Sequence, residues 1–514
     1  MSDSWHLDGL DADGVARLAE LVALKLQAGD AVLLDGDLGA GKTTFARALV
    51  RALLGDPEAE VPSPTFPVMQ PYATARLAVA HYDLYRLSGA SDLAEVGFDD
   101  ALAHGAVLVE WPERAEEAMP ADRLEIALAP GSRPDLRDVT LEAHGSWDGR
   151  LERLCRMHGF LAASLPGAGR LSRIAYLQGD ASARAYARIS ADGASYVLMD
   201  APRMPDGPPV RNGLAYSRIA HLAEDVRPFV AIGSALAASG IAVPTIHAAD
   251  LEAGLLLLED LGDLTFARAL EIGVPQGTLW SAAVDLLIRI RRAPLPAELP
   301  LPDGSIHRLP RFDRAALEIE LGLILDWYWP EVKGGPAPDD LRTEMMALWS
   351  PVLDRLLAEP PGLFLRDYHS PNLFWLPDRP ASANVGVIDF QDALAEPWAL
   401  DLVSLLQDAR VDVPVELEVA ERERYMREVA RAEPDFDRHR FLATYAAFGA
   451  QRNTRLIGLW VRLLRRDGKP QYLRHMSRTW DYLVRNLAHP DLASIRHWYD
   501  RHFPVALRRW PIDP

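Results

Sequence analysis

The chain has 514 residues, 49% of them hydrophobic and 25% charged, with a formal net charge of −19 and a single cysteine. That balance fits a globular protein of two to four domains and excludes a disordered or disulfide-stapled one. No apolar run reaches the ~18 residues that span a bilayer, and the acidic N-terminus lacks a signal peptide's basic and apolar regions, so a cytoplasmic protein with no membrane contact is expected.

In chain order, "DADGVARLAELVALKLQAGD" has apolar residues at helical spacing, with Asp11 or Asp13 available as N-cap. "AVLLDG" then reads as a short buried strand, and "TTFARALVRALL" resumes helical spacing after a glycine-rich turn. "LAVAHYDLY" and "AVLVEW" read as further strands, and "LEIALAP" with "RDVTLEAHG" as a closing pair. Residues 1–155 therefore form one compact predicted α/β domain. Its boundary is placed near Cys155, itself expected to be a small buried hydrophobe.

Residues 156–263 are strand-rich, with "AYARISA", "SYVLMDA" and "LLLLEDLGD" and a helix around Phe229–Ser239. Residues 264–514 are helical apart from "GLFLRDYHSPNLFWL" and "NVGVIDFQD", and Pro-rich "RAPLPAELPLPDG" reads as a surface loop. A small sheet lobe followed by a large helical lobe gives a bilobal α+β second region. The first 155 residues hold 13 Lys/Arg against 27 Asp/Glu. They forgo the counterion release that drives direct nucleic-acid binding, so no such contact is expected there. From Arg440 onward the sign reverses, with 14 basic residues against 5 acidic ones.

Gly36-Asp37-Leu38-Gly39-Ala40-Gly41-Lys42-Thr43 satisfies G-x-x-x-x-G-K-[ST] between a strand and a helix. The glycines let backbone N–H groups close round phosphates at the helix N-terminus. Lys42 reaches the β/γ-phosphates, Thr43 ligates Mg²⁺, and Ala40 and Thr44 complete the nucleotide loop. The chain has only four lysines, and one falls on this motif. An acid ending an apolar strand is also needed for the metal; Asp83 and Glu110 both qualify.

The order "GDLGAGKTTFARAL", "SPTF", "HYDLYRL", "VEWPE" resembles TsaE, the small ATPase of bacterial tRNA threonylcarbamoyladenosine synthesis. The resemblance implies a mixed sheet around a P-loop, weak ATPase activity, and partners among the subunits of the threonylcarbamoyl-transferase complex. It places Asp83 and Glu110 near Mg²⁺, Trp111 beside the nucleotide, and Thr65 in a switch-like segment.

The second motif is "LRDYHSPN", with Asn372 five residues after Asp367, and seventeen further on "VIDFQD" with Asp389 ending a strand. Kinase-type phosphoryl transfer uses that spacing, an Asp accepting the acceptor hydroxyl's proton and an Asn and a second Asp holding Mg²⁺. "D-Y-H-S-P-N…I-D-F" resembles aminoglycoside-phosphotransferase-like kinases. "GDASARAYARI", "VLMDAP", "LLLLEDLGD", "RLLRRDGKPQYL" and "NLAHPDL" are closer to the amino-sugar kinase AmgK. That resemblance implies ATP-dependent phosphorylation of the anomeric hydroxyl of N-acetylmuramate and N-acetylglucosamine. It makes Asp367 the base, Asn372 and Asp389 metal ligands, Glu259–Leu261 the adenine hinge and Gly179–Ser182 a phosphate-covering turn. Asp401 is expected to brace the catalytic loop. Met199 stands where a phosphate-binding lysine is expected, so Arg184 or Arg188, with Arg203 behind them, are the candidate cations. The sequence thus points to a bifunctional enzyme using ATP and Mg²⁺ in both halves. An aminoglycoside kinase and a nucleotide-sensing scaffold are the alternatives.

Overall fold

In the computed structural model, residues 4–87, 89–165, 171–177, 184–293, 298–397 and 399–509 are described. They fall into two units: Met1–Pro202 with Ile246–Asp260, and Arg203–Thr245 with Leu261–Pro514.

The first unit holds two sheets. The larger joins β1 (Ser4–Leu10), β2 (Ala31–Asp35), β3 (Met69–Tyr72), β4 (Ala78–Asp83), β5 (Gly105–Glu110), β6 (Arg123–Pro130) and β7 (Arg137–His144) in the order β1-β7-β6-β2-β5-β4-β3. β2 runs parallel to β5 and β6, and β4 parallel to β5, while the outer pairings are antiparallel. A strand flanked by parallel neighbours is covered on both faces, which is why β2 carries the unbroken run "AVLL", all of it buried. β1 is an edge strand of alternating polarity whose "SWHLDGL" gives only a weak strand signal; its pairing with β7 fixes it. Helix α1 (Ala12–Lys25) is capped by Asp11, whose carboxylate accepts from Gly14 N at 2.8 Å. Helix α2 (Lys42–Leu54) starts directly on the P-loop.

The smaller sheet is antiparallel, with β8 (Leu171–Leu177), β9 (Ala185–Ala191), β10 (Ala194–Asp200) and the strands Leu255–Glu259 and Ile246–Asp250 side by side in that order. Alternate residues of such strands face opposite ways. One face, with Ile174, Ala187, Ile189, Leu198, Leu255 and Leu257, merges with Val15, Leu18 and Val22 of α1 and with Leu151, Leu154, Met157 and Leu161 into one continuous core. The last four belong to the helix Asp148–Ser164, which runs straight through the boundary expected at Cys155. The helix is a shared wedge, with its apolar stripe buried by both sheets. Cys155 itself is only half-buried, on the flank of that stripe, with burial raising its thiol pKa.

Polar contacts reinforce the join. Glu20 of α1, buried, accepts from Ile174 N of β8 at 2.6 Å. Asp200, closing β10, is clasped by Lys25 and by Arg153, whose Nε lies 2.9 Å away.

The second unit is helical around the 30-residue helix Arg438–Asp467. Gly458 lets that helix cross tightly over its neighbour, since a Cβ there would strike the backbone of Leu323. The catalytic-loop segment runs from strand Gly362–Phe364 to Leu373–Trp375, which pairs antiparallel with Val385–Val387. The stretch expected as a plain Pro-rich loop contains a short strand, Glu298–Pro300, paired with Ile306–Arg308. Among the described residues no helix is long and apolar enough to cross a membrane.

Candidate functional sites

At the first site, Gly36, Gly39 and Gly41 have φ of 139°, 80° and 110°, a region L side chains avoid. Gly36 needs its missing Cβ for space as well, because a methyl group would run into the Leu128 carbonyl. The Ala40 N–H closes the turn on Asp37 O at 3.0 Å, and Arg137 clamps the loop from outside, donating to Ala40 O at 2.8 Å and Gly39 O at 3.2 Å. Lys42 is buried, donates to the carbonyls of Gly36 and Asp37, and lies 3.4 Å from the centroid of the Trp111 ring. Burial lowers its pKa, opposed by the carboxylates of Glu110, Glu113, Asp35 and Asp83. Thr44 lies exposed one residue beyond Thr43.

The two acidic candidates take different positions. Because β4 and β5 are parallel and in register, Asp83 and Glu110 are cross-strand partners at the carboxyl ends of the strands, the usual edge for a ligand site. Thr43 Oγ1 donates to Glu110 Oε2 at 2.9 Å, and Glu110 Oε1 contacts His81 Nε2 at 2.9 Å. Asp83 instead accepts from Thr65 Oγ1 at 2.6 Å, Ser63 Oγ at 3.1 Å and Tyr85 N at 3.1 Å. Glu110 therefore stands with the P-loop hydroxyl, and Asp83 with the "SPTF" segment. A threonine hydroxyl and a strand-end carboxylate in contact form a donor set suited to Mg²⁺. His81 and Arg137 were not singled out in the sequence; His81 sits two residues before Asp83 in "HYDLYRL", and only strand register puts it beneath Glu110.

At the second site, Asn372 Nδ2 donates to Asp367 O at 3.0 Å and to Asp389 Oδ2 at 3.3 Å, so the three motif residues converge. Gln391 donates to Asp389 Oδ1 at 2.7 Å and fixes that carboxylate. Arg366 and Asp389 adopt left-handed backbone with φ of 74° and 59°, an uncommon state for residues with a Cβ. Asp401 holds the loop in this shape, accepting from Leu365 N at 2.7 Å and Arg366 N at 3.1 Å. Burial drives the Asp401 pKa up to about 7 against the pull of those two N–H groups. Arg366 is anchored below by Glu320 at 2.9 Å and Ala220 O at 2.8 Å.

Burial favours the neutral form of Asp367, but the basic groups around it (His369, Arg455, Arg366 and Arg410) prevail and hold its carboxyl below the ordinary value. It is therefore ionised near neutral pH, as a general base must be. Burial, together with the Arg410 cation, drives the His369 pKa down to about 4.

On the smaller sheet of the first unit, Arg188 pairs with Val197 across the strands, so Arg188, Val197 and Met199 share one face. Arg188 is held at 2.6 Å by Asp260, whereas Met199 is fully buried. Arg184 lies half-buried just before β9, and Arg203 is exposed. Glu259 is the half-buried last residue of its strand, and Leu261, two residues on, is also half-buried. Gly179 and Ser182 lie outside the described residues.

These features define a P-loop nucleoside-triphosphatase fold and a kinase-type phosphotransferase fold on one polypeptide. Residues 11–137 match the family model of threonylcarbamoyl adenosine biosynthesis protein TsaE, and residues 173–442 that of the phosphotransferase enzyme family. An N-acetylmuramate/N-acetylglucosamine kinase of Caulobacter vibrioides is 40% identical over 367 residues, 70% of this chain and 99% of that one. The enzyme of the same description from Pseudomonas aeruginosa is 35% identical over 62% of this chain and 84% of its own. At the other end, the tRNA threonylcarbamoyladenosine biosynthesis protein TsaE of Rickettsia felis is 40% identical over 112 residues, 22% of this chain and 65% of the relative. The chain belongs to the phosphotransferase enzyme family and carries a TsaE-family segment fused in front of it.

Proposed function

We propose that the C-terminal region transfers the γ-phosphoryl group of ATP to the anomeric hydroxyl of N-acetylmuramate and N-acetylglucosamine, giving the sugar 1-phosphate and ADP. The observation that carries this is the convergence of Asp367, Asn372 and Asp389 on a loop braced by Asp401, in a chain that covers 99% of a kinase of that description. The ionised Asp367 carboxylate accepts the anomeric hydroxyl's proton as its oxygen attacks phosphorus in line. Asn372 and Asp389 would hold Mg²⁺, with Gln391 orienting the Asp389 carboxylate. When bound, Mg²⁺ neutralises charge on the phosphoryl oxygens.

The N-terminal segment, in the same reading, hydrolyses ATP in support of tRNA threonylcarbamoyladenosine synthesis and docks on other subunits of that machinery. Lys42 and the loop amides bind phosphate, while Thr43 and Glu110 would hold its Mg²⁺. Asp83 ties the Ser63–Thr65 segment to the site. ATP use at both sites and a lone cysteine fit a cytoplasmic setting.

The test is ADP release by the purified protein in Mg²⁺-ATP, alone and with N-acetylmuramate, N-acetylglucosamine or kanamycin. Stimulation by the two acetylated sugars and not by kanamycin is expected. No stimulation by either sugar overturns the kinase reading.

A further inference from the structure

The helical lobe places the guanidinium groups of Arg455, Arg366 and Arg410 within electrostatic reach of Asp367. The carboxylates of this region are largely engaged by the catalytic loop itself. Asp408 accepts from Ser370 N and Arg410 N, each at 2.8 Å, and Asp401 accepts from the two amides already described. Glu320 serves Arg366 and Gln451.

Two arginines then stand out. Arg410 Nη1 donates to His369 Nε2 at 2.9 Å, and that same imidazole nitrogen lies 3.9 Å from Asp367 Oδ1. One guanidinium therefore stands a single imidazole away from the base. With Nε2 accepting, neutral His369 carries its proton on Nδ1, a buried atom with no hydrogen-bond partner among the described residues. Arg452, on the helix Arg438–Asp467, is 7% exposed and donates to Gln407 O at 3.3 Å. Burial and the neighbouring Arg455 cation bring its pKa down to about 10, against the opposing pull of the Asp408 and Asp367 carboxylates. An arginine fork is suited to a planar carboxylate.

The acceptor hydroxyl must lie against Asp367, so the rest of the sugar spreads over the residues next to it. N-acetylmuramate differs from N-acetylglucosamine by a lactyl ether that ends in a carboxylate. We propose that Arg410 and Arg452 receive this lactyl carboxylate and give the site its preference for the acidic sugar. The inference rests on the kinase reading above.

The experiment measures kcat/KM of the full-length protein for N-acetylmuramate and for its lactyl amide, which keeps the shape and removes the charge. The wild type should prefer the acid by about tenfold or more, the size expected for a charge-assisted hydrogen bond. In Arg452→Gln and in Arg410→Gln the preference should fall towards one, while Arg452→Lys retains part of it. The ratio is read within each protein, so partial loss of folded enzyme cancels, and either glutamine variant suffices. A wild type without an acid-over-amide preference, or a glutamine variant that keeps it, overturns the assignment and leaves the kinase reading intact. Absence of turnover with N-acetylmuramate and N-acetylglucosamine alike fails that reading instead.

Discussion

Lys42 and Asp367 sit in loops that both force the backbone into left-handed conformations but stabilise them by different means. The P-loop uses Gly36, Gly39 and Gly41, for which positive φ carries no steric penalty, and presents phosphate with backbone amides. The catalytic loop has Arg366 at positive φ, and Asp389 likewise, with no glycine at either position. It keeps that geometry because Asp401, far along the chain, accepts from two of its amides. A loop shaped by its own residue types announces itself in sequence. A loop shaped by a remote carboxylate is recognised only through the spacing of its chemical groups.

The largest effect should come from Asp367→Asn, which removes the base without changing size. Sugar-dependent ADP release should fall by about 10²–10⁴ while acceptor-independent hydrolysis persists. Equal loss of both activities would mean that the two loops serve one site. Lys42→Ala is the converse, lowering acceptor-independent ATPase by about 10²–10³ and sparing sugar phosphorylation. A matching fall in the sugar kinase would show that the P-loop gates it.

Asp200→Ala probes the join between the two sheets of the first unit. It leaves Lys25 and Arg153 without their shared carboxylate and should destabilise that unit by about 3 kcal/mol, read from denaturant midpoints. A neutral result would reduce the shared core to a packing contact without electrostatic content.

The smallest effect is a pH dependence at Asp401. Its folded pKa of about 7 lies above its unfolded value, so the folded state binds the extra proton. The stability this contributes is complete below about pH 4 and is lost as pH rises through about 7. Asp401→Asn should flatten that slope while lowering stability by about 1–2 kcal/mol, because the asparagine oxygen accepts only part of what the carboxylate does. An unchanged slope in chemical denaturation between pH 4 and 8 would assign the titration elsewhere.

Much of the second region was legible because its chemistry is written as short fixed spacings: Asp367 to Asn372, then to Asp389. What surrounds them was not. Neither Arg410 nor Arg452 stands in a motif, and only the fold buries Arg452 against Gln407 O within electrostatic reach of Asp367. Gln391 carries no signal of its own in the sequence; only the fold sets its side-chain amide on Asp389.

The sequence by itself determined the strand–glycine–helix phosphate loop, its lysine and threonine, and the succession of two nucleotide-using folds. Those depend on backbone freedom and hydrophobic period, which neighbouring residues set. Tertiary structure decided that Glu110 rather than Asp83 contacts Thr43, because parallel pairing and side-chain direction, not order along the chain, choose the partner. It also decided that Cys155 lies within one continuous helix, Asp148–Ser164. The apolar stripe of Asp148–Ser164 has to be buried, and the face of the second sheet is the surface that completes its burial.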